Sequence, residues 1–250
     1  MANSIVVKIS GHELDDPAYL AAFARVLAGI DAPKIIVHGG GKTISTMQTR
    51  LGIEPRYADG VRITDADSLA IVEMVLRGSV NTALVRALIA AGLEAQGMSG
   101  VDRGLIRAEK MHHAVQDMGF TGVVTAVRAD VLRFLLEQGI IPVIAPVCLG
   151  ETSTFNVNAD QAAGAVASAL DAHTLYLVSN VPGVLVDGQL ARALTPEQVA
   201  ALIENGTIFG GMIPKVRSAL DALANGAKRA VITDLNGLRA QQGTVFAASA

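Results

Sequence analysis

Lys34-Ile35-Ile36-Val37-His38-Gly39-Gly40-Gly41-Lys42 is the stretch on which the fold turns. A run rich in β-branched residues ends in three consecutive glycines, and Ile44, Met47 and Leu51 follow at helical spacing. The run reads as a buried parallel strand and the glycines as the turn into a helix N-terminus. Glycine has no Cβ, so its backbone turns tightly and can lie against a ligand. Unpaired N–H groups and the positive end of the helix dipole then favour an anion, most often phosphate. A plain turn is the competing reading, but a plain turn seldom needs three glycines.

Two familiar phosphate motifs are excluded. Gly41-Lys42-Thr43 resembles the end of a Walker A loop, but Ile36 stands where that motif requires its first glycine. No G-x-G-x-x-G occurs, which argues against a dinucleotide fold.

The 250 residues suffice for one large α/β domain or for two lobes sharing a sheet. Hydrophobic residues make up 51% of the chain but aromatics only 4%, so Ala, Val, Leu and Ile must fill the core. A net charge of −3 without a basic cluster speaks against nucleic acid as a partner. The single Cys148 sits in an apolar run and reads as an inert buried thiol. No signal peptide opens the chain, and no apolar run approaches the roughly 18 residues of a membrane span. The expectation is a soluble cytoplasmic protein.

Working outward, Ser4 to Ile9 forms a first strand interrupted by Lys8, which is either a solvated edge lysine or one that faces a partner anion. An amphipathic helix follows, with Tyr19, Leu20, Phe23, Val26 and Leu27 on one face. Arg56 to Thr64 is a hairpin or loop; Thr64 or Asp65 caps a helix that Gly78 and Asn81 break before a further helix, Ala83 to Ala91. Gly97 to Gly104 reads as a loop, Leu105 to Ala108 and Val123 to Val127 as strands of a secondary sheet. Asp130 to Gln138 is a helix, and Ile140 to Ala145 a strand with prolines at or near its ends. Asn156 to Asp160 opens an alanine-rich helix through Leu170. Thr174 to Val178 is a strand, and Thr195-Pro196-Glu197-Gln198 a helix start with a capping box. A helix begins near Lys215, and Lys228 to Thr233 and Thr244 to Phe246 supply the last strands. The alternation predicts an α/β fold with a mainly parallel sheet covered on both faces.

Lys8 with Gly11, the Gly39–Gly41 turn, Asn156 to Asp160 and Gly210 to Lys215 all stand at strand ends or helix starts. Ligands of parallel α/β sheets bind there. An anion nest, two lysines and one aspartate suit phosphoryl transfer, which is mostly positioning and charge stabilisation. Asp160 would hold both ammonium groups or assist magnesium. The five histidines offer no acid–base pair; four read as surface or turn residues, and His38 is placed to orient the glycine turn. Without a base, an acceptor already ionised at neutral pH, a carboxylate, is favoured over an alcohol.

Lys8-Ile9-Ser10-Gly11, His38 to Lys42, Gly60 to Thr64, Asn156 to Ala162, Ser179 to Gly183 and Gly211-Met212-Ile213-Pro214-Lys215 resemble, in order, the motifs of the amino acid kinase family, in its acetylglutamate kinase branch. The resemblance implies a three-layer αβα sandwich, one domain over 1–250 with an N-lobe (about 1–155) for the acylated amino acid and dimerisation and a C-lobe (about 156–250) for ATP. It implies ATP-dependent phosphorylation of the γ-carboxylate of N-acetyl-L-glutamate in arginine biosynthesis, with Mg2+ held mainly by the phosphates and no protein metal site. By motif, Lys8 and Lys215 would stabilise the moving phosphoryl group and Asp160 would organise them. Gly40 and Gly41 would contact substrate and phosphoryl group, Arg62 the α-carboxylate, and Asn156 the acylated amino acid. Lys8, Gly11, Ser179, Asn180, Val181, Pro182, Gly183, Val184, Thr207, Ile208 and Phe209 would bind ATP. Ser10 and Asn180 depart from the pattern, where glycine and aspartate are usual. Asn180 also resembles the kinase acting on carrier-protein-linked aminoadipate, whereas Tyr57 to Arg62 matches the free-acylglutamate type. A non-catalytic nucleotide or amino acid sensor is a third reading. The first strand begins near Ser4, so the expected assembly is a homodimer unresponsive to arginine, with no nucleic-acid or membrane partner.

Overall fold

Strand and helix alternate along the chain to give one sheet with a helical layer on each face. The computed structural model describes residues 3–9 and 12–247, with the side chains of His12 and Glu13 outside the description. Across the sheet the order is Ala193–Leu194, Thr244–Ala247, Arg229–Thr233, Thr174–Val178, Ile5–Ile9, Lys34–His38, Ile141–Ala145 and Ala95–Ser99. All neighbours are parallel except Arg229–Thr233 with Thr244–Ala247. Successive side chains of a strand take opposite faces. Val6, Ile35, Val37, Leu175 and Leu177 therefore enter a core with the helices Ala159–Leu170 and Met212–Ala224. Ile5, Val7, Ile9, Ile36 and Tyr176 enter the opposite core with the helix Pro17–Ala28. Each large apolar side chain so buried contributes about 1.5–3 kcal/mol. This is the expected αβα sandwich. Cys148 is buried, and burial pushes its thiol up to about 12.

Gly78 and Asn81 do not break the helix. Ala66–Glu73 passes through a π-helical segment, Met74–Val80, directly into Asn81–Ala90. The resulting run of 25 residues is long and apolar enough to cross a membrane, contrary to the sequence expectation, but half of its most apolar window is buried against the sheet. Val72, Val75, Leu76, Leu84 and Leu88 pack into the second core, which makes it a core helix. The wider π turn accommodates Gly78, and the Asn81 side chain bonds outside the helix instead of capping it.

Ala95–Ser99, expected to be partly loop, is the sheet's edge strand. Its Ala-Gln-Gly-Met-Ser composition has little β preference, and pairing with Ile141–Ala145 decides its state. Pro142 stands inside that strand opposite Gln96; pairing with Lys34–His38 starts one residue later, at Val143, so the missing N–H costs no ladder bond there. Asn156 lies in a strand, Thr154–Val157, and the helix starts only after Asn158, whose side chain accepts from Asp160 N and Gln161 N. With Thr121–Val127, Ile106–Lys110 and Val147–Leu149, that strand forms a small closed sheet above the C-terminal edge of the main one. Arg56–Ala58 and Val61–Ile63 form a hairpin whose two turn residues, Asp59 (φ 48) and Gly60 (φ 79), both take the positive φ of a type I′ turn. The capping box at Thr195 and Gln198 is present.

Candidate active site

Lys8 lies on the central strand, on the Val6 face, where a lone ammonium would cost several kcal/mol to bury. Its Nζ is 2.8 Å from Asp160 Oδ1, and only 10% of the lysine side chain is exposed. Asp160 occupies the first turn of the Ala159–Leu170 helix, the end at which a negative charge is favoured. Two clefts, each of about 260 Å³, meet at this ion pair. Lys8, Asn158 and Asp160 line both.

The first cleft is walled by Gly39, Gly40 and Gly41 on one side, the hairpin residues Tyr57, Gly60 and Arg62 on another, and Asn156 on a third. A Cβ at Gly40 would sit 2.6 Å from Leu76 Cδ2 and require that side chain to move, whereas a Cβ at Gly41 would meet nothing within 4 Å. Gly39 N donates to Ile9 O (2.8 Å) and so belongs to the sheet. The Gly41–Arg50 helix then begins without a side-chain cap among the described residues, and its first residue lines the cleft. Asn156 Nδ2 donates to Thr64 Oγ1 (3.0 Å), and Thr121 Oγ1 donates to Arg62 O (2.6 Å), so the hairpin is tied to the small sheet.

Arg62 is 8% exposed. Its guanidinium donates to Gln48 Oε1, to Gly41 O (3.0 Å), to Ser45 Oγ (2.8 Å) and to Tyr57 OH (2.8 Å), and lies 4.9 Å from the Tyr57 ring centroid. Burial lowers its pKa while Tyr57 raises it. All four acceptors are neutral; among the described residues the guanidinium has no carboxylate partner. Gln48 is held for this task by donating to Ser68 Oγ (2.8 Å). That explains a departure from the expected helix stripe: Gln48 is buried with Ile44, while Leu51 is 58% exposed. Gln48, Ser45 and Thr121 join the site from outside the motifs, while Tyr57 and Thr64 lie within stretches that the resemblance singles out without a role of their own. The one sequence signal was a glutamine standing where helical spacing calls for a buried residue.

The second cleft adds Ser179, Gly211, Lys215 and Ser218. Asp160 holds one of the two lysines directly. Its other oxygen accepts from Ser218 Oγ (3.2 Å), one turn along the helix from Lys215, whose own Nζ donates to Gly211 O (3.4 Å). Of the remaining residues assigned to ATP, Asn180 and Pro182 are exposed, Val181 is half-buried and Phe209 is 74% exposed. Val184 and Ile208 are buried in the core, and Gly183 is obligatory because a Cβ would lie 2.5 Å from Thr244 Oγ1. Thr207 is half-buried. Gly11, with Ser10, lies outside the described residues.

His38, at the end of its strand, is wholly buried, and burial pushes its pKa down to about 4 from 6.5. The folded protein thus keeps the ring neutral where the unfolded chain protonates it. Stability from this group is intact above pH 6.5 and is lost as pH falls towards 4, by about 3 kcal/mol in all. Urea unfolding of the protein and of His38→Asn across this range should show that difference; parallel curves would contradict it.

A mainly parallel sheet flanked by helices, with two clefts joined at a lysine–aspartate pair beyond the strand ends, defines a two-substrate phosphoryl-transfer architecture. The chain belongs to the amino acid kinase family, whose model matches residues 3–234. It is 54% identical over 243 residues to an acetylglutamate kinase of Roseiflexus sp. (strain RS-1), covering 97% of this chain and 93% of that protein. An acetylglutamate kinase of Methanopyrus kandleri is 43% identical over 249 residues, covering 96% and 98%. Among solved structures, smu.665 from Streptococcus mutans UA159 superposes with a TM-score of 0.83 at 30% identity over the whole of both chains.

Proposed function

We propose that the chain transfers the γ-phosphoryl group of ATP to the γ-carboxylate of N-acetyl-L-glutamate, a step of arginine biosynthesis. A carboxylate oxygen attacks the γ-phosphorus, the bond to the bridging oxygen of ADP breaks, and an acyl phosphate and ADP result. The observation that carries the reading is Arg62: a buried guanidinium that among the described residues faces only neutral partners, in a cleft that ends at the Lys8–Asp160 pair. An α-carboxylate supplies the missing charge. Bound in this way, the acceptor places its distal carboxylate towards Gly40, Gly41 and Lys8, while Asn156 hydrogen-bonds the acylated end.

Lys8 stabilises the phosphoryl group between the clefts and Lys215 the nucleotide side; Asp160 fixes Lys8 and, through Ser218, the Lys215 helix. Ser179, Asn180, Val181, Pro182 and Gly183, with Thr207 and Phe209, border the nucleotide, and Val184 and Ile208 support them from the core. No base is required, since the acceptor is already ionised at neutral pH. Mg2+ would be held mainly through the phosphates, with Asp160 nearby. Hydroxylamine trapping of acyl phosphate across acetylglutamate, acetylaspartate, glutamate and carrier-linked aminoadipate tests the reading. Acetylglutamate should give the highest kcat/KM, and preference for the carrier-linked substrate would overturn it.

Two copies are proposed to pair across the edge strand Ala95–Ser99. Beside it lies a cleft lined by Val85, Ile89 and Met98, with Ile89 57% exposed. Sedimentation equilibrium should report a dimer that Ile89→Asp weakens; a wild-type monomer at micromolar concentration rules the pairing out.

A further inference from the structure

His38 and Asn81 form a buried, hydrogen-bonded pair beside the glycine turn. The hydrogen bonds settle which ring nitrogen of His38 carries the proton. Nδ1 is 2.9 Å from Gly39 O, and a carbonyl only accepts, so Nδ1 is the donor. Nε2 is 3.0 Å from Asn81 Nδ2, which also lies 2.9 Å from Val143 O. Both amide hydrogens of Asn81 are thus donated, one to the sheet and one to the ring, and Nε2 accepts. On the other side of the amide, a Cβ at Gly97 would stand 2.1 Å from Asn81 Oδ1, so only glycine leaves room for the group in this orientation. The ring is neutral, in the Nδ1–H form.

That proton determines where the glycine turn points. No peptide bond among the described residues is cis, and in a trans peptide the C=O and the following N–H point in opposite directions. His38 draws the Gly39 carbonyl inward, so the Gly40 N–H is turned outward, to the glycine wall of the first cleft. Gly40 N–H has no protein acceptor among the described residues, in contrast to Gly39 N–H, which is spent on Ile9 O. The π segment Met74–Val80 supplies the second constraint. Its Leu76 and Val80 side chains occupy the space beside Gly40 that a Cβ would enter, and it delivers Asn81 to the ring at the next residue.

We propose that His38 and Asn81 are positioning residues for phosphoryl transfer: Asn81 selects the ring tautomer, and His38 holds the Gly39 carbonyl so that the Gly40 amide faces the moving phosphoryl group. The inference rests on the reading of the first cleft given above, deepening it by two residues that touch no substrate. A mis-aimed amide lowers the rate without weakening ground-state binding, because the charge it serves develops in the transition state.

The test has two arms. Nitrogen-15 NMR of histidine-labelled protein, with the His38 signals assigned by their absence in His38→Asn, reads the tautomer directly and needs no turnover. A pyrrole-type Nδ1 and a pyridine-type Nε2 at neutral pH are expected, with tautomer mixing in Asn81→Ala. An Nε2–H ring or a charged ring overturns the proposal even if every variant misfolds.

The kinetic arm compares His38→Asn with His38→Gln. Asparagine places an amide N–H near the Nδ1 position and keeps the Gly39 bond; glutamine places its amide near Nε2 and loses it. His38→Gln should lower kcat by about 30-fold or more with both KM values within about threefold, while His38→Asn stays within about fivefold of wild type. Equal losses in two folded variants would mean that the ring merely fills space. If the wild-type protein forms no acyl phosphate, the functional reading fails, and the tautomer still decides the hydrogen-bond relay by itself.

Discussion

Replacing Lys8 with methionine is expected to lower kcat by about 10²–10³-fold, with the KM for ATP raised less than tenfold. Methionine keeps most of the unbranched stem, so packing on the central strand survives and the loss reports the charge. The size of the effect follows from position. Among the described residues Lys8 is the one cation lining both clefts, and it is already fixed at 2.8 Å from Asp160, so its charge needs no reorganisation when the phosphoryl group passes. The partner aspartate would be left about one quarter exposed without its counter-ion, which costs stability as well. Thermal unfolding must therefore accompany the kinetics. A folded Lys8→Met enzyme with kcat within threefold of wild type would show that the ammonium does not act on the transferring group.

Arg62→Ala should act on the other constant. Loss of a charge-assisted pair with a carboxylate costs about 1.5–3 kcal/mol, so the KM for the acylated amino acid should rise about 10- to 150-fold. The KM for ATP should stay within a factor of about two, because Arg62 borders the first cleft and not the second. Arg62→Lys should rescue little. A lysine ammonium has three donors on a flexible stem and cannot reproduce four contacts to Gln48, Gly41, Ser45 and Tyr57 while also forking a carboxylate. Equal rises in both KM values would instead indicate a general collapse of the hairpin.

By itself the sequence determined the local elements and the side chains that carry charge. β-branched runs made the strands from Ile5, Lys34 and Thr174; Pro196 with Thr195 and Gln198 set a helix start; three glycines marked the turn. These are short-range effects, complete within a few residues of each position. It also pointed to Lys8, Asp160 and Lys215, because charged groups at strand ends and helix starts have few structural uses, whereas the roles of Arg62 and Asn156 came only with the family resemblance. What it could not decide were states settled by neighbours distant in the chain. Ala95–Ser99 is a strand only because Ile141–Ala145 offers it a ladder. Gly78 and Asn81 look like breakers until the helix is seen to widen into a π turn and Asn81 to find Val143 and His38, 62 and 43 residues away. Asn156 belongs to a strand because Thr121 and Val147 flank it. The same limit hid Gln48, Ser45 and Ser218, whose roles consist of contacts with Arg62 and Asp160. Propensity acts along the chain, whereas hydrogen-bond satisfaction in a buried site acts across it, and only the folded structure brings those partners together.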